Sequence, residues 1–162
     1  MDDILKICVF SDSHGHTSQI EGTLKSLDKV VDAFWFLGDY AKDASALKRV
    51  LKSDFFIVKG NCDLQSNEPE ELILEVEGKR VLLTHGHHYG VKYGLTTLYL
   101  KAKSEEVDLV CFGHTHTAVS ILEDGIHFFN PGSPTSPRGR QAASIGLITI
   151  DEHGIDCEYL WI

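Results

Sequence analysis

Apolar runs interrupted by short polar turns organise the chain from its first residues. Residues 4–10 are apolar except for Lys6, the pattern of a central strand buried on both faces. The run stops at Ser11-Asp12-Ser13-His14-Gly15-His16. Ile20, Leu24, Leu27 and Val31 then recur at helical spacing, and Ser18 with Glu21 forms a capping-box pattern that predicts the helix start. A second strand, 33–37, ends at Gly38-Asp39-Tyr40. Asp43 is placed to cap a short helix whose inner side carries Ala44, Leu47, Val50 and Leu51. A third strand, 55–58, ends at Gly60-Asn61-Cys62-Asp63. Three strands alternating with two helices predict a parallel sheet with right-handed crossovers, so that all three polar turns share one edge. In sheets of this kind, ligands bind beyond the carboxyl ends of the strands.

The second half reads as mostly β. Pro69 and its polar neighbours predict a surface loop over 64–71, followed by an antiparallel hairpin of 72–77 with 80–84 around Gly78-Lys79. The second hairpin strand runs into His85-Gly86-His87-His88. Val91, Leu95, Leu98 and Ala102 predict a helix over 89–103, and 108–112 is another buried strand, ending at Gly113-His114-Thr115-His116. If strand geometry persists past that ending, His114 and His116, two residues apart, point the same way. Strands at 118–122, 126–129, 144–150 and 155–161 complete the chain, with turns at Glu123-Asp124-Gly125 and Glu152-His153-Gly154.

Size and charge narrow the choice of class. With 162 residues, 43% hydrophobic and 24% charged, the chain fits one globular α/β domain. A net charge of -9 argues against a surface that gathers nucleic-acid phosphates, although bound metal ions can still create a local positive site. Cys8, Cys111 and Cys157 fall in strands and Cys62 in a turn, with no C-x-x-C pair, which predicts reduced thiols and a cytoplasmic location. The acidic start Met1-Asp2-Asp3 is wrong for a signal peptide. No apolar run approaches the roughly 20 residues of a membrane span.

The strand endings together supply Asp12 and His14, Asp39, Asn61, His85, and His114 with His116. Taken singly, each has an ordinary structural explanation as a cap, turn residue or loop histidine. As a set, seven oxygen and nitrogen donors exceed what one ion takes from side chains and suit two ions sharing a carboxylate. Asp39, alone between the pairs, is the economical bridge. Two divalent ions about 3.5–4 Å apart suit in-line displacement at phosphorus and lower the pKa of bound water. The mixed carboxylate, amide and imidazole set favours manganese, with nickel, iron or zinc as alternatives.

Asp12-x-His14, Gly38-Asp39, Gly60-Asn61-x-Asp63, His85-Gly86-His87, Gly113-His114-x-His116 and Asn130-Pro131-Gly132-Ser133 together resemble the motifs of the calcineurin-like metallophosphoesterase superfamily. The likeness is strongest to its small bacterial and archaeal phosphodiesterase branch. The resemblance implies an α/β four-layer sandwich of two mixed β-sheets flanked by helices. It implies one metal at Asp12, His14, Asp39 and His116, and a second at Asp39, Asn61, His85 and His114. It further implies hydrolysis of small phosphodiesters by a metal-bridging hydroxide. A homo-oligomer is an open reading that no residue pattern decides.

One position departs from the pattern. Many superfamily members carry histidine directly after the ligand asparagine, where it assists the transition state or the leaving oxygen; this chain has Cys62. A neutral thiol lacks an imidazolium's charge. Asp63 and His87 are the candidate catalytic substitutes, with His16 also near in sequence; Asp63 serves equally well as a loop anchor. The loop 134–140, with Arg138 and Arg140, is either a phosphate-gripping rim or a solvated turn. Three further readings stay open: a non-catalytic scaffold like the retromer subunit of this fold, a phosphomonoesterase acting as a protein phosphatase, and a nuclease. The acidic charge and the short chain weigh against the last two.

Overall fold

A computed structural model describes residues 3–162; Met1 and Asp2, read above as part of an unsuitable signal-peptide start, lie outside the described residues. Two five-stranded sheets pack face to face. In the first, β1 (Leu5–Phe10), β2 (Ala33–Phe36) and β3 (Asp54–Ile57) run parallel, and β9 (Ser144–Asp151) and β10 (Gly154–Trp161) extend the β1 side antiparallel. The second sheet has the order β4 (Glu71–Val76), β5 (Lys79–Thr84), β6 (Leu109–Cys111), β8 (Ile126–Pro131), β7 (Ala118–Glu123). Its three middle strands are parallel and its two outer strands antiparallel, so the sheet is mixed rather than antiparallel throughout.

Strand alternation explains why β1 reads as continuously apolar. Ile7 and Val9 point between the sheets, where they meet Trp35, Leu37, Val81, Leu83, Cys111 and Phe129. Cys8 and Phe10 point outward under α1 (Glu21–Leu27) and α2 (Ala41–Lys48), against Leu24, Ala44 and Leu47. On the far side, α3 (Thr96–Ser104) lays Leu98 and Ala102 on Leu82, Val110 and Phe128. The four layers are therefore helices, sheet, sheet and helix. Trp35 lies in the core and Trp161 is half exposed on the outer strand β10.

Several local expectations are corrected. The third helix starts at Thr96, not near 89, because Gly90 and Gly94 hold positive φ and break the helical path. The hairpin turns at Glu77-Gly78, both left-handed, one residue earlier than read from the sequence. Ser18 does not cap α1: it lies within a preceding 3-10 turn, Thr17–Gln19, and no side chain caps the helix. Asp43 lies within the first turn of α2 rather than before it, and its carboxylate accepts hydrogen bonds from Ser13 Oγ and Gly15 N at 2.9 and 2.8 Å.

The polar turns after the first three strands do share one edge, and the later ones join them from the second sheet. Those after β1, β2 and β3 leave the first sheet, while those after β5 and β6 leave the second. They meet because the parallel strands of both sheets end on the same side of the sandwich. Short contacts hold that meeting: His85 Nδ1 donates to Leu37 O at 2.7 Å, and Ser133 Oγ donates to Asp12 O at 2.9 Å.

Candidate metal centre

Two groups of donor atoms converge at this junction. Asp12, His14, Asp39 and His116 each place one donor within 4.8 Å of the others, and Asp39, His85 and His114 do the same beside them. Asp39 belongs to both. Asn61 joins the second group through Oδ1, 3.1 Å from His85 Nε2. All seven residues singled out in the sequence are thus brought together. His114 and His116, however, do not share one spot. β6 ends at Cys111, both histidines take left-handed backbone at φ 73° and 58°, and each turns to a different group.

Left-handed backbone is concentrated here. Asp12, His14, Asp39, His114 and His116 all have φ between 48° and 73°, a conformation that costs a non-glycine residue on the order of 1 kcal/mol. Surrounding bonds hold it. Asp12 N donates to Gly38 O at 2.9 Å, His114 N to Asp12 Oδ2 at 3.0 Å, and Arg138 N to His116 O at 3.0 Å. Asn130 Nδ2 ties the 113–115 turn through Gly113 O and Thr115 Oγ1. A glycine is needed at 113 for space: a Cβ there would lie 2.2 Å from Ser11 Oγ and 2.9 Å from Asp12 Oδ2.

The donor chemistry fits a cation. His85 and His116 each direct Nδ1 at a backbone carbonyl, Leu37 O at 2.7 Å and Ser136 O at 2.8 Å, so the proton sits there and the Nε2 lone pair faces the centre. Those lone pairs approach other electron-rich atoms: His14 and His116 Nε2 are 3.2 Å apart, and His85 Nε2 is 3.2 Å from His114 Nδ1. Asp12 Oδ1 is buried without any hydrogen-bond donor among the described residues, 3.4 Å from His116 Nε2 and 3.8 Å from His85 Nε2. A buried carboxylate oxygen facing imidazole lone pairs fits a cation placed between them.

Titration tendencies follow. Burial pushes the Asp12 carboxyl above its ordinary range, against the pull of His85 and His116. Burial acts likewise on Asp39, but hydrogen bonds and charge from His85 and the Cys62 amide outweigh it and hold Asp39 well below the usual range. Burial opposes a charge on His85, yet Asp39 and Asp12 raise its pKa. His114 is pushed down to about 4 by burial and then by the charges of His85 and Lys92, leaving a neutral ligand nitrogen at pH 7. A proton and a metal compete for the same Nε2 of His85.

The two candidate catalytic residues are placed differently. Asp63 is buried and its carboxylate accepts four backbone amides, those of Asp39, Tyr40, Ala41 and Gly60, at 2.8–2.9 Å. His87 lies against the second group, its ring centroid 5.4 Å from that of His85, with Nδ1 buried and without a hydrogen-bond partner among the described residues. Burial and then His88 lower its pKa. His16 is exposed on the loop after β1. Cys62 is exposed, donates its amide to Asp39 Oδ1 at 3.0 Å, and has its thiol pushed up to about 11 by burial and the Asp39 charge. Arg138 and Arg140 are exposed on the loop that Ser136 anchors to His116. The sequence reading overlooked Ser11, which donates to Asp12 Oδ2 at 2.8 Å; the serines flanking Asp12 were its only signal.

Residues 5–153 match the calcineurin-like phosphoesterase superfamily domain. The chain belongs to that superfamily. Among its relatives within the superfamily, the probable metallophosphoesterase YsnB of Bacillus subtilis is 32% identical, over 91% of this chain and 85% of its own. Phosphodiesterase YfcE of Escherichia coli is 30% identical, over 83% and 85%. The crystal structure of a conserved uncharacterized protein of Streptococcus pneumoniae, predicted to be a phosphoesterase, superposes with a TM-score of 0.86 at 30% identity, covering 98% of this chain and 90% of that one. Zinc-complexed Vps29 of Entamoeba histolytica shares the fold, with a TM-score of 0.77 at 21% identity over 97% and 99%. The metallophosphoesterase superfamily uses divalent metals, and the two donor groups above are ones that could hold such ions. No helix among the described residues is long and apolar enough to cross a membrane.

Proposed function

We propose that the protein is a divalent-metal-dependent phosphodiesterase of small phosphate esters, built as one domain. The observation that carries this reading is the buried Oδ1 of Asp12, without a donor among the described residues and set among inward-facing imidazole nitrogens, with Asp39 common to both donor groups. Asp12, His14, Asp39 and His116 would hold one cation, and Asp39, Asn61, His85 and His114 the other. Such a pair supplies a hydroxide nucleophile near neutral pH and positive charge for the attacked and departing oxygens. Manganese suits the oxygen-and-imidazole set first, ahead of nickel, iron or zinc.

The chain's own residues do the positioning. The carbonyls of Leu37 and Ser136 fix the tautomers of His85 and His116, so their Nε2 atoms are ready as ligands without rearrangement. Asp63 acts through Asp39, whose left-handed backbone it clamps, and is a positioning residue rather than a proton donor. Of the two catalytic candidates, His87 is the one with an unoccupied nitrogen beside the second group. With a neutral thiol at Cys62, leaving-group assistance is weak and esters with good leaving groups react best.

The test is hydrolysis of bis(4-nitrophenyl) phosphate by purified protein with manganese, and its loss with EDTA and in Asp39→Ala and His114→Ala. Folded variants that keep full activity would overturn the reading. Metal binding without hydrolysis of any ester would favour the non-catalytic scaffold. A cytoplasmic location and self-association belong to the same proposal and are checked by fractionation and light scattering.

A further inference from the structure

Beside the donor cluster, a cleft of about 920 Å³ runs between α2 and the loop that follows β3, at the upper end of the size range of ligand pockets. Lys42, Ser45, Ala46 and Arg49 line one wall at spacings of three and four residues, a single face of α2. Gln65, Ser66 and Asn67 line the other. Tyr40 and Cys62, adjoining Asp39 and Asn61 in sequence, close the end nearest the donor cluster. The Tyr40 ring stands 5.5 Å from the His14 ring, so that end of the cleft lies beside the candidate metal centre.

Charge gives this cleft its character. In a chain of net charge -9, two cations line one wall. Lys42 Nζ sits 5.0 Å over the Tyr40 ring, at the metal-centre end. Arg49 is exposed and has no carboxylate partner among the described residues; it lies roughly 10 Å farther along the helix at 1.5 Å per residue. Two carboxylates, those of Asp63 and Glu68, also line the cleft, and Asp63 is consumed by its four backbone amides. Tyr40, Ser45, Gln65, Ser66 and Asn67 add hydroxyls and amides, beside the apolar Ala46 and Leu64, so the lining is mainly polar and suits a hydrophilic ligand.

We propose that the α2 cleft receives one arm of the phosphodiester, and that this arm carries a second phosphate, gripped by the Arg49 guanidinium with Lys42 at the end nearer the reacting group. The inference deepens the phosphodiesterase reading and rests on it. It assigns Lys42 and Arg49 to substrate selection and the substrate to phosphorylated diesters. A planar guanidinium binds phosphate in bidentate fashion, and α2 with its C-terminal cap carries both cations on one wall of the cleft.

Two 4-nitrophenyl phosphodiesters that share a thymidine arm, one bearing a 5′-phosphate and one lacking it, test the proposal. In the wild-type protein with manganese, KM for the phosphorylated ester is expected to be about tenfold lower, the effect of one charge-assisted contact. In Lys42→Gln/Arg49→Gln the ratio of the two KM values is expected to fall to near one. A ratio of one in the wild type, or a ratio that survives the substitutions, overturns the cleft. Loss of the ratio in Arg138→Gln/Arg140→Gln instead also overturns it, by moving the contact to the other rim. A second readout needs no turnover: thymidine 3′,5′-bisphosphate and thymidine 3′-phosphate are titrated calorimetrically into the protein in EDTA. The same preference, and its loss in the same double variant, are expected. Absence of hydrolysis of either ester would refute the phosphodiesterase reading, while equal affinities in the titration would refute the cleft.

Discussion

Asp63 Oδ2 accepts the Asp39 amide at 2.9 Å, while its Oδ1 takes the amides of Tyr40 and Ala41 at 2.8 Å each. One side chain thereby satisfies the first amides of α2 and holds the left-handed turn that aims Asp39. Replacing Asp63 by Ala leaves those buried donors without an acceptor. The expected loss is about 3 kcal/mol of stability, together with weakened metal binding. Urea denaturation with and without manganese measures both. A variant that binds manganese like the wild type would remove Asp63 from the positioning of Asp39.

Asp12→Asn is expected to separate stability from binding. The amide oxygen can keep the contacts of Oδ2 with Ser11 Oγ and His114 N, at 2.8 and 3.0 Å. Its NH2 then faces imidazole lone pairs where an unpartnered anionic oxygen stood. Without metal, the variant should melt at or above the wild-type temperature, by up to about 1 kcal/mol of added stability. With manganese, the wild type should gain stability by ligand linkage and the variant should not. Paired thermal melts in EDTA and in manganese decide it, and an equal metal-induced shift in both proteins would count against the site.

Gly113→Ala tests packing against the same carboxylate. Its Cβ would fall 2.2 Å from Ser11 Oγ, so Ser11 and Asp12 must shift. The expected cost is about 1–3 kcal/mol from overpacking, with reduced metal affinity. Ser11→Ala in the same chain is expected to restore part of the stability, and calorimetric unfolding of the wild type and the two variants reports whether it does.

The depressed pKa of His114 predicts a pH dependence of the metal-free protein. Folded, the imidazole protonates near 4; at its ordinary value of 6.5 the unfolded chain takes up a proton first. Between these values the unfolded state binds more protons, so stability falls as pH drops from about 6.5 to 4. The contribution is present above 6.5 and is lost as pH falls through 4. His85, with a raised pKa, works in the opposite sense above 6.5. The difference in unfolding free energy between the wild type and His114→Gln, followed across this range in EDTA, isolates the His114 part. A flat difference would contradict it.

Cys62→His should widen the range of esters cleaved. The thiol, with its pKa near 11, carries no charge at pH 7, whereas an imidazole at this exposed position can donate a proton. Turnover of alkyl diesters should rise by up to about 10², and aryl diesters should change little. A wild-type enzyme that already treats alkyl and aryl esters alike would sink this account.

Much of the fold was legible because residues such as Ile7 and Val9 face one layer and Cys8 and Phe10 another, leaving an apolar run that ends abruptly at polar residues. Those endings made the seven donors visible. Other features depend on through-space contacts that no spacing encodes. The parallel register of β6 with β8 made the second sheet mixed. The split of His114 from His116 follows from two left-handed residues beyond the strand, where alternation no longer applies. Asp43 resembled a helix cap in sequence because its true partners, Ser13 and Gly15, belong to another loop. Arg49 drew no notice in the sequence, because only the fold brings it to the same cleft as Lys42 and the loop after β3.

Asp12, Asp39 and Asn61 leave one sheet, while His85, His114 and His116 leave the other. Cations held by both sets would act as a non-covalent cross-link across the sandwich. Their affinity would then register the spacing between layers that Trp35, Leu83 and Phe129 set from within. Trimming one of those interior side chains, remote from any ligand, would detune the centre as surely as removing a donor, which makes the hydrophobic filling the gauge block of the chemistry.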